Sequence, residues 1–364
     1  MKKNYFMGFI ACAALTMTGC SNDEIGGNEG QTQGEPIEFG TYLGRDAQAR
    51  GGGITTANLE NFGVFAFYTG QKTWKKYDSI TTPNFMNNQE VTKGTDGSWA
   101  YSPLKYWPNN ENDKVSFFAY APYDKDKSWS NDQKISFTVV NDVKKQKDLL
   151  ACWTSANTID LTKQAISGKV TFNFGHALSR IGLQVAYAKD ATSMSDKNEA
   201  IDGSTVISVQ EVTLGNATNG TFYKTGNLFM NAAKADWTPS TEAYQSFKLE
   251  SGNFVSAVAA KVTNAYQDLN ADNSYVMIIP QDLSADQGFP VTIKYTVTTT
   301  DSNNTANSST IENTITNTAK IKFEAGKAYT LKLLLGMTSV KLSASVTEWG
   351  TSSETTVNLP QNNQ

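Results

Sequence analysis

The chain reads as an all-β protein of two tandem antiparallel β-sandwich domains. Apolar residues recur at every second position in many short segments, the period that lines one face of a half-buried strand. Thr, Asn and Gly fill the intervals, and no segment sustains the 3.6-residue period of a helix. Short helical turns at 57–59 and 257–262 are the most the pattern allows. Of 364 residues, about 340 remain once a leader is removed, and at about 150 residues per domain that is length for two cores.

The leader is residues 1–19. Lys2 and Lys3 precede an apolar run over 6–15 and then Thr18-Gly19-Cys20, the order of a lipoprotein signal whose cleavage leaves Cys20 as an acylated first residue. Ordinary signal cleavage is the alternative, and Met17 stands where Leu is usual. The run falls short of the roughly 20 apolar residues a spanning helix needs, so the expectation is export followed by anchoring through lipid alone. Residues 20–35 are Gly, Asn, Glu and Gln with almost nothing apolar, a flexible tether whose burial cannot offset the entropy of folding.

The first domain is assigned to 36–168. Its first strand alternates Ile37, Phe39, Thr41 and Leu43. Segments 62–68 and 115–120 are apolar on both faces and belong at the centre of a sheet, whereas Ile135, Phe137 and Val139 mark a one-faced strand. The second domain, 169–350, opens with Val170, Phe172 and Phe174 and continues with Ile181, Leu183, Val185 and Tyr187. Its late strands alternate most cleanly: Val291, Ile293, Tyr295 and Val297; Tyr329, Leu331, Leu333 and Leu335; Val340, Leu342, Ala344 and Val346. A tail over 351–364 adds a short strand at Val357 and Leu359. Turn chemistry separates these runs at Thr95-Asp96-Gly97, Asn219-Gly220, Ser251-Gly252 and Ala325-Gly326. Segment 158–168 reads as the division between domains and 301–309 as an exposed hairpin loop.

Charge and residue counts exclude most chemistry. The net charge is −4, and −6 once Lys2 and Lys3 leave, with no basic stripe, so nucleic acid is not an expected partner. Of three cysteines, Cys12 leaves with the leader and Cys20 carries lipid, which leaves Cys152 without a disulfide partner. The single histidine, His176, cannot assemble a Cys/His zinc site, and beside Phe172, Phe174 and Leu178 it reads as a packed, hydrogen-bonded ring rather than a catalyst. Asp124-Lys125-Asp126 lacks the Gly and Glu of a calcium loop. No phosphate loop or carboxylate pair declares itself, so neither cofactor, metal nor enzymatic activity is expected. Trp74, Trp99, Trp107, Trp129 and Trp153 read first as core, with a platform for stacking sugars as the alternative. Asp78-Ser79-Ile80 fits a short O-glycosylation pattern that places a sugar on Ser79.

Several phrases spread almost end to end resemble one family, the fimbrillins of Bacteroidales, whose members build lipoprotein-derived pili or act as surface adhesins. They are Ser21-Asn22-Asp23-Glu24 after the lipid cysteine, which is also similar to an outer-membrane export tag; Ile37-Glu38-Phe39-Gly40-Thr41; Phe62-Gly63-Val64-Phe65-Ala66; and Tyr106-Trp107-Pro108 with the run over 115–122. Further along come Asp148-Leu149-Leu150, the run over 172–181 that holds His176, Ile279-Pro280-Gln281 and the run over 323–329.

The resemblance implies transthyretin-like sandwiches, a surface-exposed lipoprotein of the outer membrane, and later incorporation into a fimbrium. It also implies that an Arg-specific protease removes the N-terminal strand and that a strand of another fimbrial subunit fills the vacated groove by β-augmentation. The removable strand would be Ile37, Phe39, Thr41 and Leu43; the cut would follow Arg50, beside Gly51-Gly52-Gly53, in preference to Arg45. The donor would be Val340, Leu342, Ala344 and Val346, extended past Trp349 by Val357 and Leu359. The plainer readings are a permanent first strand, two surface arginines and a last strand that belongs to its own domain. The expected protein is thus a fimbrial subunit or accessory adhesin, with other subunits, the protease and a host or bacterial surface glycan or protein as partners. The alternative is a monomeric surface lipoprotein that binds glycans through exposed aromatics.

Overall fold

The computed structural model describes residues 34–43, 53–55, 57–74, 80–153, 158–187, 205–250, 266–269, 275–285, 288–301, 303, 305–349 and 355–357. The leader, Cys20, most of the tether, Arg45, Arg50, Ser79, Leu359 and the expected turns at 251–252 and 257–262 lie outside the described residues.

The first half contains β1 (Glu38–Tyr42), β2 (Asn61–Gly70), β3 (Met86–Lys93), β4 (Trp99–Ala100), β5 (Lys114–Ala121), β6 (Lys134–Thr138), β7 (Leu150–Cys152) and β8 (Lys169–His176). The second half runs through β9 (Ser179–Tyr187), β10 (Thr205–Leu214), β11 (Phe222–Tyr223), β12 (Thr225–Phe229), β13 (Trp237–Pro239), β14 (Tyr244–Gln245), β15 (Phe247–Glu250) and β16 (Gln267–Asp268). It ends with β17 (Val276–Ile278), β18 (Gln281–Leu283), β19 (Phe289–Thr300), β20 (Ser308–Ala319), β21 (Ile321–Phe323), β22 (Lys327–Leu335), β23 (Val340–Glu348) and β24 (Thr355–Val357). Helical structure among the described residues is confined to 3-10 turns such as Val143–Lys145 and Gln164–Ile166. The protein is all-β.

Seven strands form one sheet in the order β1-β8-β7-β5-β2-β3-β4. Phe62, Val64 and Ala66 of β2, with Phe117, Ala119 and Ala121 of β5, enter one apolar core together with Phe39 and Phe172. Their neighbours Phe65, Phe67, Phe118 and Tyr120 enter a second core on the opposite face. Burial of both faces is why these two segments are apolar throughout. The second core takes its other residues from the sheet β15-β10-β19-β20 and from the sheet β9-β22-β23-β24, through side chains such as Ile207, Ile293, Leu331, Leu333 and Leu342. The alternating residues of β19, β22 and β23 thus point inward as the sequence predicts. Gly34–Gln364 form one compact unit.

Three features differ from the sequence reading. β1 pairs with β8, and β9 with β22, in parallel rather than antiparallel fashion. Alternation reports which face a residue occupies but not strand direction, and long stretches of chain between the paired strands permit the crossover that parallel pairing needs. β8, assigned by the 168/169 division to the second domain, lies in the first sheet, and Val170, Phe172 and Phe174 pack in the first core. The polar turn before it joins neighbours of one fold layer: Phe117 N–H donates to the Thr158 carbonyl and Leu161 exchanges backbone bonds with Val115. Finally, the 301–309 loop is a hairpin loop shortened by pairing of Thr300 with Ser308.

Candidate functional site

β1 sits at the margin of the seven-stranded sheet, where β8 is its one ladder partner among the described residues, from Glu38 opposite Lys169 to Tyr42 opposite Asn173. Ile37, Phe39 and Leu43 are buried, Thr41 is half-buried, and Glu38 and Tyr42 face solvent. Phe39 anchors the strand in an aromatic cluster: its ring lies 5.2–6.1 Å from those of Phe62, Tyr101, Phe117 and Phe172. Two further bonds fix the backbone, Ile37 N–H to the Lys105 carbonyl at 2.9 Å and Tyr101 Oη–H to the Ile37 carbonyl at 2.9 Å. The candidate removable strand is therefore a plug whose alternate side chains fill holes in the first core.

Arg45 and Arg50, outside the described residues, fall in sequence between Leu43 and Gly53. Ile54 N–H donates to Asp148 Oδ2 at 3.0 Å, and Gly53 lies so close to Trp349 that a Cβ there would come within 2.8 Å of the indole nitrogen. Only glycine fits that approach.

The described donor candidates, in β23 and β24, are folded into the chain's own sheet. β23 is paired with β22 on one side and β24 on the other, with Leu342 and Ala344 buried and Val340 and Val346 half-buried. β24 is the outermost strand, and the backbone of Val357 lies opposite Ala344.

Trp349, just beyond β23, joins these regions. Its indole is stacked on the His176 imidazole, with centroids 4.1 Å apart and planes 1° from parallel. His176 Nδ1 is hydrogen-bonded to Asp148 Oδ2 at 2.8 Å, so the same carboxyl oxygen holds both His176 and the Ile54 amide. The Arg180 guanidinium lies 5.3 Å from the Trp349 ring and 4.2 Å from that of Tyr275. Burial pulls the Arg180 pKa down, against the opposing pull of Tyr275 and Asp148. Gly326, in a left-handed turn at φ +71°, accepts the Trp349 N–H through its carbonyl at 2.7 Å. Three of the phrases that resemble fimbrillins, around Asp148, His176 and Gly326, thus meet at one place. Sequence spacing marks each phrase but carries no sign of their meeting, nor of Arg180 and Trp349 as partners.

His176 is packed and hydrogen-bonded, as its apolar neighbours predict. Cys152 is buried, and burial pushes its thiol up to about 12. Trp74 and Trp107 are core residues, and Trp129 packs against Phe65, Phe67 and Phe118, which removes them as a sugar platform. Trp153 and Trp237 are half-buried and, with Trp349, line a cavity of about 730 Å³ beside the stack. Asp126 and Lys125 form a solvated pair, and no cluster of metal-ligating side chains occurs among the described residues.

A family model described as fimbrillin-like matches residues 48–349. The chain belongs to the fimbrillin-like family. Fimbrium subunit Fim1C of Phocaeicola vulgatus is 27% identical, over 96% of this chain and 98% of that protein. A crystal structure of a fimbrial protein from Bacteroides vulgatus shares the fold, with a TM-score of 0.66 at 21% identity, covering 86% of this chain and 99% of that one. The curated relative is a fimbrium subunit, and the non-enzymatic reading of this fimbrillin rests on its family.

Proposed function

We propose that this fimbrillin is a subunit or accessory adhesin of cell-surface fimbriae, anchored through lipid on Cys20 in the outer membrane. It polymerises when an Arg-specific protease cuts after Arg50, or Arg45, and a strand of another subunit replaces β1. The observation that carries the reading is the seating of β1, a marginal strand with one ladder partner and three buried side chains, Ile37, Phe39 and Leu43. Such a strand can leave without breaking a ladder inside the sheet. Its departure exposes the β8 backbone and a row of apolar holes, which another alternating strand fills by β-augmentation. The proposed donor, β23 with β24, is paired in its own chain, so release starts at β24, which has one neighbour. The ladder lost there is regained in the next subunit.

Limited digestion of the purified full chain with an Arg-specific protease, followed by intact mass and sizing, tests this. The expected result is loss of a segment ending at Arg50 or Arg45 together with a ladder of oligomers, and neither from the Arg45→Ala, Arg50→Ala double variant. A chain that resists cutting, or is cut and stays monomeric, overturns the strand-exchange reading.

A further inference from the structure

The cavity beside the Trp349 stack is complete in the uncut chain, where Leu43 and Trp349 both help to line it, and its chemistry points to a ligand of its own. Its volume of about 730 Å³ lies in the range of roughly 300–1,000 Å³ typical of small-molecule sites. Two half-buried indoles, Trp153 and Trp237, form apolar wall, and the Trp237 ring is held by its Nε1–H donating to the Ala177 carbonyl at 2.8 Å. The charged residues around it are balanced in sign: Lys234, Lys322 and Lys327 against Asp236, Asp282 and Glu324. Hydrogen bonds from the Ser284 hydroxyl and amide hold the Asp282 carboxyl below its ordinary range, so it stays an acceptor.

These features select among ligand classes. A purely apolar ligand would desolvate six charges. An ion of either sign would meet its own sign as often as the opposite one. An uncharged ring with an apolar C–H face and a rim of hydroxyls suits these features, since the face packs on indole while each hydroxyl donates to carboxylate or accepts from ammonium.

We infer that this cavity is a binding site for an uncharged oligosaccharide. The site is complete in the uncleaved monomer, so it stands or falls separately from polymerisation. The test is titration of the purified, uncut full chain with a panel of neutral oligosaccharides, sialylated and sulfated glycans and peptides, read by tryptophan fluorescence and calorimetry. A neutral glycan should bind one per chain, with affinity unchanged by added salt. Trp237→Ala should weaken it by about tenfold or more, and so should the solvent-exposed rim variants Asp282→Asn and Lys322→Met, which keep the test valid if Trp237→Ala unfolds. No saturable neutral glycan, binding of anionic glycans or peptides only, or glycan binding untouched by the rim variants overturns the inference.

Discussion

Phe39 illustrates how one side chain decides whether a strand stays. Its ring touches four aromatic neighbours in the first core, while Tyr42, three residues on in the same strand, is half exposed. Phe39→Ala should therefore lower stability by about 3–5 kcal/mol through lost transfer free energy and the cavity left behind. Tyr42→Ala should stay within about 0.5 kcal/mol of the parent, as surface changes do. Urea unfolding of the two variants measures the difference, and equal midpoints would mean that β1 is not seated as the structure shows. At the same scale, Asp148 has two tasks on one oxygen, orienting His176 and holding the Ile54 amide, and its side chain is fully buried while doing so. The strand and the segment that follows it are thus attached by different chemistry, apolar insertion for one and a hydrogen bond to a buried carboxyl for the other.

Among the elements, β24 is three residues long with one neighbour, whereas β22 is paired along its length with both β9 and β23. Local opening follows the number of bonds and contacts that must break together. Amide exchange should therefore run fastest in β24, slower in β23 and slowest in β22; protection of β24 equal to that of β22 would show that the C-terminal end does not open first. The elements also show what alternation can and cannot reveal. β2 and β5 are legible because both faces are buried. β10 is hidden because a bulge between Val209 and Glu211 shifts the register, so inward residues run Ile207, Val209 and then Val212, Leu214. β20 is hidden for the opposite reason: it is a marginal strand largely exposed on both faces, stitched to β19 by hydroxyl pairs such as Thr292 with Thr316 and Thr298 with Thr310. The cavity and the His176–Trp349 stack were not legible at all, since their residues come from segments far apart in sequence and carry no shared period. What the sequence did mark there, by resemblance, was a set of phrases without their geometry.

For the molecule as a whole, the decisive point is that one sheet serves both cores. Phe62 and Phe65 are three residues apart in β2, yet Phe62 packs in the first core and Phe65 in the second. A further sheet crosses the same boundary, because β6 of the first half pairs antiparallel with β12 of the second, from Thr138 opposite Thr225 to Lys134 opposite Phe229. Loss of the first core would strip one face of β2 and β5 and so expose the second core through the same strands. Neither half can then unfold without removing a wall from the other, and the expectation is one cooperative transition rather than two. Differential scanning calorimetry should give a calorimetric enthalpy equal to the van't Hoff enthalpy, and Phe62→Ala and Phe65→Ala should each lower that single transition. Two separable transitions, each sensitive to one substitution, would mean that the halves are energetically independent. A single transition also constrains assembly. Removing β1 would then weaken the second core along with the first, so a processed subunit would recover its full stability only when a neighbour's strand occupies the groove. That dependence would favour the filled polymer over the empty monomer by more than the ladder of the exchanged strand alone.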